Sequence, residues 1–71
     1  MGEEEYLKKL GEKVRELRKE AGLSQEELAK RLGTKHTQVG RIERGEANST
    51  IKVLAKIAKE LGTTINELVK I

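Results

Sequence analysis

The sequence predicts an all-α fold, a five-helix bundle in one domain covering residues 1–71. Three observations carry that expectation. Apolar side chains recur at three- and four-residue steps, the period of a helix with one buried face. Gly22, Gly33, Gly45 and Gly62 each fall just past such a stretch, and a serine or threonine precedes the next one. No segment alternates apolar and polar residues as a half-buried strand would.

The first helix is expected from about Glu4 to Ala21, with Leu7, Leu10, Val14, Leu17 and Ala21 along one stripe and Gly22 at its end. Its other face mixes Lys8, Lys9, Lys13, Arg15 and Lys19 with Glu12, Glu16 and Glu20, which reads as a solvated surface. Ser24 followed three residues later by Glu27 is a capping box: the hydroxyl accepts from one free helix amide while the carboxylate accepts from another. A second helix therefore starts at Gln25, buries Leu28, Ala29 and Leu32, and stops at Gly33. Thr34 is expected to cap a third helix reaching Arg44, with Val39 and Ile42 as a narrow inward stripe and Gly45 as its end.

Thr50 caps a fourth helix in which Ile51, Leu54, Ala55, Ile57, Ala58 and Leu61 form a broad buried face closed by Gly62. Thr64 and Glu67 repeat the capping-box spacing before a fifth. There Ile65, Leu68, Val69 and Ile71 are apolar on more than one side, a surplus that suits a second copy of the chain.

Composition narrows the function. A chain of 71 residues buries only about 60% of its unfolded surface, enough for one core. It has no cysteine and no proline, and Tyr6 is its one aromatic residue, so aliphatic helix packing must stabilise it and no cysteine-based metal site exists. His36 is the single histidine and the carboxylates lie at salt-bridge spacing from lysines, which argues against catalysis, a metal or a cofactor. The acidic run Glu3, Glu4, Glu5 is unlike a signal peptide, and no apolar segment approaches the roughly 20 residues that span a bilayer. A soluble, cytoplasmic protein is expected. The net charge of +3 is mild, but three of the twelve acidic residues crowd the amino terminus, leaving the rest more basic.

The informative segment is about 25–43: a short helix, a tight turn at Gly33, and a second short helix with a polar outer face. Gly33 supplies the backbone dihedral of the turn and Ala29 is small where two helices cross. The stretch GLSQEELAKRLGTKHTQVGRIERGE resembles the phage repressor and Cro family of helix-turn-helix proteins, often called the XRE family. The runs Leu-Ser-Gln-Glu-Glu-Leu-Ala, Arg-Ile-Glu-Arg-Gly (Arg41–Gly45) and Ile-Ala-Lys-Glu-Leu-Gly (Ile57–Gly62) carry the likeness, which covers about Leu10 to Leu68.

The resemblance implies a lambda-repressor-like fold that binds double-stranded DNA as a sequence-specific transcription regulator, with the third helix in the major groove and the second crossing the backbone. By position, Gln25 and its helix amides would grip a phosphate. Lys35, His36, Thr37 and Arg41 would touch base edges, while Gln38 and Arg44 would reach bases or phosphates. Arg41 is the leading base reader, since arginine can donate twice to guanine O6 and N7. Asn48, Ser49 and Lys52 match a loop and helix start that commonly touch the backbone.

Arg18 and Glu43 match an internal salt bridge between the first and third helices, a structural role. His36 could make a pH-dependent groove contact or be a plain surface residue. Gly40, costly by about 1 kcal/mol within a helix, either permits close approach to DNA or is tolerated drift. Two residues depart from the family pattern: Lys35 stands where a small capping residue is common, and Ser49 where proline is common. A homodimer through helices 4 and 5, using Ile65, Leu68, Val69 and Ile71, would place two third helices about 34 Å apart on a palindromic operator. Small relatives of this type include restriction-modification controllers, phage repressors and antitoxins, so the alternative is an interaction module that binds a toxin. Nothing in the sequence indicates a small-molecule effector.

Overall fold

A computed structural model describes residues 2–70. Five helices follow one another: α1 (Glu3–Glu20), α2 (Gln25–Leu32), α3 (His36–Glu43), α4 (Ile51–Glu60) and α5 (Ile65–Val69); no strand occurs among the described residues. The buried side chains form one cluster to which every helix contributes, and Leu28, Ile57, Leu68, Val14 and Val39 are its wholly enclosed members. Burying side chains of this kind stabilises the fold by about 1.5–3 kcal/mol each.

Along α1, Leu10 and Val14 are buried and Leu7 and Leu17 half-buried, as the stripe requires. Ala21, expected to end that stripe, is exposed because the helix has stopped at Glu20 and Ala21 only caps it. Gly11 and Arg18 are buried in addition. Gly11 marks where α1 crosses the end of α3: a Cβ there would stand 2.5 Å from the Glu43 carbonyl oxygen and closer still to that of Ile42. These are backbone atoms, which can yield only if one helix shifts against the other.

The capping box of α2 is complete, with the Glu27 amide donating to Ser24 Oγ at 3.0 Å and the Ser24 amide to Glu27 Oε1 at 2.9 Å. Gly33 follows α2 with φ +71, a region that side chains disfavour, and lets the Thr34 amide turn back to the Ala29 carbonyl at 2.9 Å. Leu28 and Ala29 are buried and Leu32 is half-buried. The third helix begins differently from expectation. Its cap position is Lys35, which makes no side-chain cap bond, and Thr34 belongs to the turn. The cause is local: once the Thr34 amide has closed the α2 end, one further extended residue is needed to redirect the chain.

On α4, Thr50 Oγ1 accepts from the Val53 amide at 3.2 Å, and Leu54, Ile57, Ala58 and Leu61 are buried. The face is narrower than expected, because Ile51, at 70% exposure, and Ala55 point outward one helical turn apart. Thr64 caps α5 by accepting from the Glu67 amide at 3.2 Å. Leu68, expected at a dimer contact, lies wholly inside the protein's own core. The fifth helix has a partner in its own chain: Tyr6 Oη donates to the Val69 carbonyl at 3.1 Å, and Lys13 Nζ bonds the carbonyls of Glu67 and Lys70. Ile65 and Val69 stay half-buried, and Ile71 falls outside the described residues.

Candidate nucleic-acid interface

Val39 and Ile42 face the core, so the helical period turns positions 36, 37 and 41 outward. Lys35, His36, Thr37 and Arg41 are all exposed, giving α3 one polar face that no other element covers. Gln38 is half-buried at its edge, where it lines a groove of about 320 Å³ with Leu32, Ile42, Ser49 and Val53. Asn48 is exposed at the rim of that groove and donates from Nδ2 to Glu3 Oε1 at 3.4 Å, while Lys52 is exposed outside it.

The helix is held in place by charge. Arg18 donates through Nε to Glu43 Oε2 at 2.6 Å and through Nη2 to Oε1 at 3.1 Å, while its Nη1 reaches the Leu23 carbonyl at 2.8 Å. Both side chains are buried. Gln25 joins them, donating from Nε2 to Glu43 Oε1 at 3.1 Å. One carboxylate thus ties the last turn of α1, the start of α2 and the end of α3. A fully bonded buried pair of this kind fixes geometry more than it adds stability. The Gln25 amide nitrogen is committed inward, and its carbonyl oxygen lies beside Gly40.

Gly40 is buried and not on the outer face. A Cβ on it would meet Arg44 Nη1 at 3.0 Å and touch the Gln25 amide group at an ordinary 3.7 Å, so its missing side chain makes room for the Arg44 tip within the protein itself. Arg44 is exposed and forked onto Glu46, with Nε to Oε2 at 2.9 Å and Nη2 to Oε1 at 3.3 Å. Arg41 Nη2 donates to the Glu46 carbonyl at 3.4 Å. The Arg44 bond holds the Glu46 carboxyl below the ordinary carboxylate range and raises Arg44 in turn. Glu46 carries no mark in the sequence, because it sits past the helix end where no periodicity applies, although its position two residues from Arg44 places opposite charges within reach.

Among the described residues no cluster of histidine or carboxylate side chains has metal-binding geometry, and no helix is long and apolar enough to cross a membrane. A short helix braced across a second, turned by Gly33 and presenting a basic and hydroxylic face, defines the helix-turn-helix class. Residues 14–68 match the HTH_3 helix-turn-helix family model. The chain belongs to this family, the XRE type of repressors and controllers. It is 42% identical over 59 residues to control protein C.SmaI of Serratia marcescens, covering 83% of this chain and 70% of that protein.

Among solved structures, the restriction-modification controller protein C.AhdI of Aeromonas hydrophila superposes with a TM-score of 0.83 at 42% identity, over 87% of this chain and 94% of that one. The same helical unit also matches hydroxypropylphosphonic acid epoxidase from S. wedmorenis at 30% identity and TM-score 0.82. That match covers 87% of this chain but only 33% of the enzyme, so it concerns one part of that protein.

Proposed function

We propose that this protein, working as a single domain in the cytoplasm, is a DNA-binding transcription regulator that lays α3 in the major groove of a duplex. The observation that carries the reading is the uncovered α3 face of Lys35, His36, Thr37 and Arg41, held by the buried Arg18, Glu43 and Gln25 network. Arg41 reads a guanine edge, and the neighbouring exposed residues read the bases beside it. The free helix amides at Gln25 and the start of α2, with Arg44, Asn48, Ser49 and Lys52, meet phosphates and set register. This role calls for no catalytic group, cofactor, metal or small-molecule effector.

Two copies act together. With Leu68 taken by the core, the dimer face consists of exposed Ile51 and Ala55 on α4 with half-buried Ile65 and Val69 on α5, and Ile71 beyond the described residues. A two-fold through that face sets the paired α3 helices about 34 Å apart, matching a palindromic operator. The same exposed Ile51 and Val53 favour the second reading, an interaction module whose partner is another protein such as a toxin.

Selection from a randomised duplex library, followed by titration of the best sequence and a scramble at two salt concentrations, separates the two. A palindromic winner bound roughly 10³-fold tighter than the scramble, with steep salt dependence, is the expected result. Equal and weak binding to both would overturn it in favour of the interaction module.

A further inference from the structure

We propose that Glu46 stands in for a DNA phosphate, holding the Arg44 guanidinium until a correctly docked duplex displaces it, and so widens the gap between specific and non-specific binding. The inference rests on the DNA-binding reading above. Arg44 meets Glu46 through two bonds, from Nε and Nη2 to the two carboxylate oxygens at 2.9 and 3.3 Å, the fork geometry that arginine offers a phosphate. Glu46 also accepts from Arg41 through its backbone carbonyl, so one residue engages both arginines at the carboxyl end of α3.

Three features make this a replaceable contact. The two side chains are more than half exposed, 58% and 53%, and such a pair is weak enough in water to be exchanged. Glu46 lies just beyond the carboxyl end of α3, where the helix dipole disfavours a carboxylate, so helix stability gives no reason for an acid there. Finally, Gly40 lets the Arg44 tip lie back over the helix, 3.0 Å from where a Cβ would be and on the side of Gln25. The guanidinium therefore waits beside the start of α2, next to the proposed phosphate site.

A neutralised Arg44 adds nothing to the diffuse attraction that any duplex exerts. It contributes only when docking brings a phosphate oxygen to the fork. Glu46→Gln removes the competing charge and keeps the backbone carbonyl.

The test compares the wild type, Glu46→Gln, Arg44→Gln and the double variant on the selected operator and on a scramble, over a range of salt. Glu46→Gln is expected to bind the scramble several-fold tighter, with a salt slope steeper by about 0.9, one phosphate contact, while operator affinity rises less. In the Arg44→Gln background the same change should leave the slope where it was. Unchanged scramble affinity and slope in Glu46→Gln, or an effect that persists in full without Arg44, would overturn the inference while the wild type still binds its operator. If the wild type binds no duplex in a salt-dependent way, the DNA-binding reading itself fails and takes this inference with it.

Discussion

Arg18 and Glu43, 25 residues apart in the chain, are joined by a 2.6 Å bond inside the protein, and the same carboxylate accepts from Gln25. The pair is the bracket that sets α3 against the rest of the molecule. Removing one member leaves the other buried without its ion partner, held only by the Leu23 carbonyl in the case of Arg18 or the Gln25 amide in that of Glu43. Glu43→Ala is expected to cost about 3–5 kcal/mol in urea unfolding, whereas replacing both residues with apolar ones of similar size should cost far less. A single variant with wild-type stability would show that the bracket contributes little.

Two glycines within helices should respond in opposite ways to the same methyl group. Gly11→Ala drives its Cβ into the backbone carbonyls of Ile42 and Glu43 and must push α1 off α3, a loss of about 1–3 kcal/mol by the measure of overpacked cores. Gly40→Ala meets only the ends of Arg44 and Gln25, which can give by a few tenths of an ångström. It should raise stability by up to about 1 kcal/mol, the helix propensity gained. Thermal melts of the two variants decide it, and equal losses would mean that the Arg44 tip is fixed.

How far the sequence reveals this arrangement depends on the range of each interaction. Helix ends were legible because Ser24, Gly33, Thr50 and Thr64 act within a few residues. Thr34 misled because a threonine after a glycine satisfies the cap rule whether or not one more residue is needed to turn the chain. The bias of α3 toward an outer polar face followed from period alone. What period cannot supply is which faces meet: Gly11 is silent until α3 lies against it, Ile51 and Ala55 look as apolar as Leu54, and Leu68 looks surplus until the shared core encloses it. Arg18 and Glu43 came from resemblance, since 25 residues of separation leave no local signal.

Acid should weaken the α2 cap. The Glu27 carboxyl lies below its ordinary range, first because the Ser24 amide donates to it and then through the Ser24 side chain. A group lowered on folding adds stability above its unfolded value, about 4.3, and loses it as pH falls through the lower folded value. Thermal melts of wild type and Glu27→Gln should therefore differ at pH 7, and the gap should narrow as pH falls past the unfolded value and through the lower folded one. A constant gap across that range would sink the assignment. Ser24→Ala, which removes the hydroxyl acceptor, should cost about 1 kcal/mol at neutral pH.

The dimer face is tested by setting an exposed apolar residue against a buried one. Ile51 lies 70% open on α4, so Ile51→Asp should leave the fold of one copy within about 0.5 kcal/mol of wild type. Across a two-fold each substitution counts twice, and the charge would face its own copy or an apolar partner. Sedimentation should then show the dimer displaced toward monomer, and operator binding should weaken because the second α3 is no longer tethered. Leu68→Ala acts elsewhere: it opens a cavity in the core and should cost about 2–5 kcal/mol whatever the protein concentration. If Ile51→Asp leaves self-association intact, the two-fold does not run through α4, and the exposed isoleucine belongs to a different partner.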